Sequence, residues 1–370
     1  ERKCIDFNRK KHIGYFLMHL KLLPDDYEGF DTKRMMILYL ALSGLDVLGA
    51  LDKYVNKEMR KRTIKWIYAM QKTPPTVPSE GKNNTSSKFK SGEGREPGHY
   101  GFRGGSSYGG AFDITNRKDR EGIPKDEAHI AMTYSALCAL QILGDDLRGV
   151  DKKAITGSLK ALQCENGCFK CATSEEDDMR FMYCACAISD MLGDWSGVDK
   201  KRAVKYIQES QAFDGGIGLR IGAEGHGGTT YCAIASLVLM GCLDELPDRD
   251  SLIRWCMYGQ GAGFVGRPNK PPDSCYSFWI GATMKMLGIY DLTACEENRK
   301  FNLACQTSMG GLGKYPDSFP DPLHSYFGIC GLSFMGIDEC LLPVDPVWGV
   351  TERAKKTALK LRADTAAASN

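Results

Sequence analysis

The chain has 370 residues, 43% hydrophobic and 25% charged, ordinary values for a soluble protein able to bury a large core. Its 48 Lys and Arg against 46 Asp and Glu leave a formal charge of +2. This excludes nucleic-acid binding driven by bulk charge, though not a local basic pocket. Fifteen cysteines suit neither a small disulfide scaffold nor a typical secreted domain, and read as reduced, mostly buried thiols of a cytoplasmic protein. No signal-peptide pattern opens the sequence. The longest charge-free runs, 227–243 and 322–337, fall short of the ~20 apolar residues a membrane span needs, so no transmembrane segment is expected.

In chain order, residues 8–22 read as a helix and 34–49 as a second, almost uncharged one. From Lys72 to Glu127 the pattern breaks. Residues 73–100 are poor in hydrophobics and rich in Pro, Gly, Ser and Lys, and are expected to form a flexible surface insertion. Beyond it a repeat sets in. The aromatic–glycine pairs Tyr134/Gly144, Tyr183/Gly193, Tyr231/Gly241, Phe278/Gly288 and Tyr326/Gly336 recur at spacings of 49, 48, 47 and 48 residues. Tyr39/Gly49 is an earlier copy, and Gln163, Gln211, Gln260 and Gln306 keep the same beat.

Each unit predicts two helices: one apolar on every side and closed by Gly, then one amphipathic and opened by an Asp such as Asp151 or Asp199. The apolar helices fall at 34–49, 128–144, 178–193, 226–241, 272–288 and 321–336. A helix apolar all round must be covered all round. The expected fold is therefore all-α, a closed α/α barrel of six inner and six outer helices. It forms a single domain over 1–363 with a frayed tail at 364–370. Either the helix at 8–22 or one at 350–361 supplies the last outer partner.

The register also locates a site. Five residues before each marker aromatic stand His129, Asp178, His226, Asp273 and Asp321, so all five are expected at the starts of inner helices on one rim. Asp there suits capping. His caps less well, so His129 and His226 lean towards function. Asp273 and Cys275 stand two apart at an inner-helix start, with His324 at the inner-helix start of the next unit. Carboxylate, thiolate and imidazole together suit Zn²⁺, and three ligands leave a fourth position open. The alternative is a capping Asp beside a core Cys. Cys164, Cys168 and Cys171 have zinc-like spacing but no local fourth ligand, and are expected to be packing thiols. Arg267 and Lys270 lead into the same rim, joined by His226 and Tyr276, a group suited to a phosphate-type leaving group.

Long stretches of this chain (FRGGSSY, HIAMTY, EDDMRFMYC, EGHGGTTYC, GRPNKPPDSCYSFWIGATMKML and KYPDSFPDPLHSYFGICGLSFM) resemble the β subunits of protein prenyltransferases, most closely the type I geranylgeranyl branch. The resemblance runs over about residues 30–337. It implies an α/α barrel of prenyltransferase repeats that works as a heterodimer with an α subunit. It implies Asp273, Cys275 and His324 as zinc ligands, and His226, Arg267, Lys270 and Tyr276 as diphosphate contacts. Arg180 and Trp279 fall on the isoprenoid and peptide pocket. The implied substrates are geranylgeranyl diphosphate and proteins ending in a CaaX box, such as small GTPases ending in Leu.

Lys314 stands where farnesyltransferases carry an acidic residue that helps bind Mg²⁺, so Mg²⁺ should not be required here. Met36 stands where the family sets isoprenoid length, and is neither small nor aromatic. The competing readings are a farnesyltransferase β subunit, a terpene-cyclase-like barrel and a non-catalytic helical scaffold.

Overall fold

The repeat has a physical origin at its glycines. Gly49, Gly144, Gly193, Gly241, Gly288 and Gly336 all adopt positive φ, between 58° and 81°, the left-handed turn that ends a helix at least cost without a Cβ. They punctuate a computed structural model that describes residues 6–74, 99–106, 128–172, 177–336 and 339–368. Most of the 73–100 insertion lies outside the described residues.

In chain order the helices are α1 (Arg9–Lys21), α2 (Arg34–Val47), α3 (Leu51–Tyr54), α4 (Lys57–Ala69), α5 (Ile130–Ile142), α6 (Lys152–Leu162) and α7 (Met179–Leu192). They continue as α8 (Lys200–Glu209), α9 (Gly227–Met240), α10 (Arg249–Tyr258), α11 (Tyr276–Met286), α12 (Cys295–Ala304), α13 (Pro322–Phe334) and α14 (Glu352–Ala368). The apolar helices α2, α5, α7, α9, α11 and α13 each pack against the next, and α13 returns to α2. The ring is closed, as the all-round apolar pattern predicts. The amphipathic helices α1, α4, α6, α8, α10 and α12 cover it from outside.

α1 is thus the sixth outer helix. α14 packs on α5 and on the short ladder that pairs Val344–Asp345 with Val350–Thr351. It is tied to the end of α2 by Thr351 and Arg353, both donating to the buried Asp46. Residues 364–368, expected to fray, belong to this helix. Among the described residues the cysteines are free thiols, most of them buried, and no helix is long and apolar enough to cross a membrane.

Both remaining markers have structural duties. Each Gln clamps the start of the next outer helix with two side-chain hydrogen bonds. Gln211 donates to Asp248 O (2.8 Å) and accepts from Asp248 N (3.2 Å). Gln163 does the same at Asp199, and Gln260 accepts from Ala294 N. Gln306 accepts from Asn8 N at 2.8 Å, which fastens α1 to the turn just after α12. Gln71, accepting from Asp151 N, belongs to the same series; the insertion hid it from the spacing. Replacing Gln211 with Ala should cost about 1 kcal/mol, read as a lowered denaturation midpoint.

The tyrosine markers meet the chain's own C-terminal loop. The hydroxyls of Tyr39 and Tyr326 donate to Gly349 O, Tyr134 to Trp348 O, and Tyr183 and Tyr231 to Val347 O, at 2.5–3.2 Å. Asp345 shapes this loop by accepting from the amides of Val347 and Trp348. The Trp348 indole donates to Asp190 Oδ2 at 2.8 Å. Residues 347–349 therefore plug the barrel at the level of the marker ring. Phe278, the fifth marker, has no hydroxyl and instead stacks on Phe327 at 4.7 Å.

Candidate metal and anion site

Opposite α14, the N-termini of the inner helices form a rim. Asp178 caps α7 by accepting from Arg180 N, and Asp321 Oδ1 caps α13 by accepting from Leu323 N and His324 N. His129 and His226 cap as well, their Nδ1 atoms each accepting a backbone N–H at 3.1 Å. Capping and function are therefore not alternatives for His226, because its Nε2 is left to engage Tyr276.

The fifth unit departs from the pattern. α11 begins only at Tyr276, with Cys275 at its N-cap position. Asp273 lies two residues earlier, not at the helix start, and one of its oxygens receives Cys275 N (3.0 Å). Spacing gives the position in the repeat, but not where the helix begins.

One donor atom each from Asp273, Cys275 and His324 lies within 4.8 Å of the others. Among the described residues no other Cys, His or acidic group gathers this way, so Cys164, Cys168 and Cys171 form no such centre. Ser274, fully buried between two of the three, holds the site together. Its N–H donates to Lys314 O (2.9 Å) and its hydroxyl to Gly313 O (2.8 Å). This ties the loop before α11 to the loop before α13 and sets Lys314 Nζ 3.8 Å from Asp273 Oδ2. Nothing in the sequence marks Ser274 beyond its place between the two residues.

His324 presents Nε2 to Asp273 Oδ1 at 3.3 Å, while its Nδ1 engages Asp321 Oδ2 at 2.5 Å. Asp321 thus both caps the helix and orients the ring, and a fixed second nitrogen is what a ligating His needs. Burial opposes charge on His324, but its bonds to Asp273 and Asp321 outweigh it and raise its pKa to about 9. Burial would also raise Asp273, yet its bond to His324 and the positive charge there hold it below the usual carboxylate range. The Cys275 thiol is pushed well up by burial and by the neighbouring Asp273 charge. A metal-free site of this kind keeps protons on its sulfur and its imidazole. The donor set and its geometry fit a small divalent cation such as zinc.

Beside this group, His226 Nε2 lies 3.0 Å from Tyr276 Oη. Arg267 is half-exposed and pairs with Glu224, a residue that reading by motif missed. Lys270 is exposed on the same loop. Arg180, on α7, forks onto Asp178 through Nε and Nη2. Trp279 packs on Tyr231 and Phe327 with ring centroids 5.0 and 4.1 Å away, and Met36 is partly buried near the start of α2. The structure therefore joins Asp273, Cys275, His324 and Lys314, and separately His226 with Tyr276. It gives Arg180 and Arg267 acidic partners of their own.

A ring of helix pairs with this rim defines a class of protein. The family profile of the prenyltransferase alpha-alpha toroid domain matches residues 7–350, and the chain belongs to that family. The geranylgeranyl transferase type-1 subunit beta of Arabidopsis thaliana is 38% identical, the match covering 93% of this chain and 89% of that protein. The subunit of the same name from Dictyostelium discoideum is 36% identical over 95% of this chain and 96% of that one. A solved structure, Candida albicans protein geranylgeranyltransferase-I complexed with GGPP, superposes with a TM-score of 0.78 at 23% identity, covering 96% and 99% of the two chains. That likeness supports the fold.

Proposed function

We infer that this chain is the β subunit of a zinc-dependent protein geranylgeranyltransferase of type I. With an α subunit, it transfers the 20-carbon group from geranylgeranyl diphosphate to the cysteine thiol of a C-terminal CaaX motif. The relatives at 36–38% identity support the class. The single observation that carries the chemistry is the convergence of Asp273, Cys275 and His324 beside a rim of hydrogen-bond donors and cations.

Asp273, Cys275 as thiolate and His324 would hold the Zn²⁺, the two anionic ligands balancing its charge. When bound, the metal lowers the pKa of the substrate thiol. The substrate sulfur bonds to C1 of the prenyl group as the C1–O bond to diphosphate breaks, so negative charge grows on the leaving group. Tyr276 donates to it with His226 behind the phenol, and Arg267, Lys270 and Lys314 offset its charge. Arg267 must share its guanidinium between Glu224 and the ligand. Trp279 and Arg180 line the lipid and peptide side, and Met36, able to bend aside, accommodates the longer chain.

The test is prenyl transfer by the chain co-expressed with an α subunit. Geranylgeranyl and farnesyl diphosphates would compete over peptides ending in Leu or in Ser or Met. Preference for the 20-carbon donor and Leu supports the reading; the opposite preference makes this a farnesyltransferase subunit. Metal-stripped enzyme given Zn²⁺ alone should regain its full rate, because Lys314 supplies a fixed positive charge; a strong Mg²⁺ requirement would remove that role. Zinc uptake by the stripped protein should release protons and weaken as pH falls from 8 to 6, since His324 and Cys275 must both deprotonate. Proton release measured by calorimetry in buffers of different ionisation enthalpy checks this.

A further inference from the structure

His226 and Tyr276 are joined in one direction only. His226 Nδ1 accepts the N–H of Gly228 at 3.1 Å, so in the neutral ring the proton sits on Nε2. Burial, and the Arg267 charge nearby, favour that neutral ring. Nε2–H then donates to Tyr276 Oη, 3.0 Å away, and the tyrosine's own hydrogen must point to another acceptor.

The phenol is held in this position by two missing side chains. A Cβ on Gly266 would fall 2.0 Å from Tyr276 Cζ and 2.2 Å from its Oη. A Cβ on Gly227 would fall 2.8 Å from Tyr276 Cδ1. Neither glycine has the positive φ that would explain it by backbone conformation; the demand is for space. Gly227 N–H donates to Gly266 O at 2.7 Å, so the start of α9 and the loop before α11 close on the ring from two sides.

We propose that Gly227 and Gly266 are positioning residues whose bare backbones form a slot that fixes Tyr276 on His226, so that Tyr276 turns its own O–H to the departing diphosphate. The proposal rests on the prenyl-transfer reading for the identity of the acceptor. The slot and the direction of the hydrogen bonds do not depend on it. The slot works through Tyr276, so the two should not act independently.

The experiment measures single-turnover rates of the αβ holoenzyme at saturating substrates. Gly266→Ala should slow the chemical step about tenfold or more with the peptide KM unchanged. Tyr276→Ala should slow it at least as much. The double variant should fall within about twofold of Tyr276→Ala. A wild-type rate for Gly266→Ala, or losses that multiply in the double variant, would overturn the proposal. If Gly266→Ala fails to assemble, the double variant should assemble, because the obstructing ring is gone. Its failure to do so would show that Tyr276 is not what requires the glycine. Nitrogen-15 spectra of histidine-labelled enzyme without substrate, assigned by the signal lost in His226→Asn, should show a bare Nδ1 and a protonated Nε2. The reverse tautomer or a cation overturns the relay. If the wild-type enzyme transfers neither prenyl group, the functional reading fails, and the nitrogen-15 spectra still decide the relay.

Discussion

Cys275→Ala should yield a folded subunit that retains little or no zinc and transfers prenyl groups at least about 10³-fold more slowly. The substitution removes one of three donors gathered within 4.8 Å, and the two left, Asp273 and His324, would pair with each other. The structural cost is small, because the thiol caps no helix and α11 keeps its remaining contacts. Prenyl diphosphate should still bind, since His226 and Tyr276 are joined apart from the sulfur. Metal analysis by mass spectrometry, single-turnover kinetics and lipid binding measure the three effects separately. Retained zinc together with retained turnover would remove these residues from the metal site.

The largest effect on stability is expected from Trp348→Ala. Trp348 is the largest fully buried side chain of the protein, 1% exposed, and its indole donates to Asp190. Emptying such a position costs about 3–5 kcal/mol. The loss should appear as a marked fall in both thermal and denaturant midpoints. The carbonyl of residue 348, which receives Tyr134, survives the change. Tyr134→Phe tests that bond alone and should cost about 1 kcal/mol. A Trp348→Ala loss no larger than this would mean that the loop is not what closes the barrel.

The barrel was legible because an apolar helix must be enclosed, and six of them at one spacing have few other solutions. The triad was legible because the same spacing brings Asp273 and Cys275 to the start of one inner helix and His324 to the start of the next. Other features depend on contacts that spacing does not carry. Arg267 and Glu224 meet across 43 residues, so the cation looked unpaired in sequence. The late start of α11 goes with a tighter turn over 273–277, where Tyr276 N donates to Asp273 O and Ser277 N to Ser274 O, a local choice that periodicity cannot register. α1 takes the last outer place by packing on α2, and Gln306 fastens it there. A lone Gln in the right beat carried that information, but its partner Asn8 lies 298 residues away.

That distance has a consequence for how the protein is made. α1 leaves the ribosome before the ring, yet its clamp arrives only after the fifth unit, with Gln306. Until then its buried face, with Ile13, Tyr15 and Phe16, lacks part of its final cover, and the ring behind it is an open arc with two unmatched ends. Contacts so far apart in the chain form slowly and leave apolar surface available to other molecules meanwhile. The vulnerable period in the life of this protein is therefore its synthesis, when a half-built ring can be joined by a neighbour in place of its own first helix.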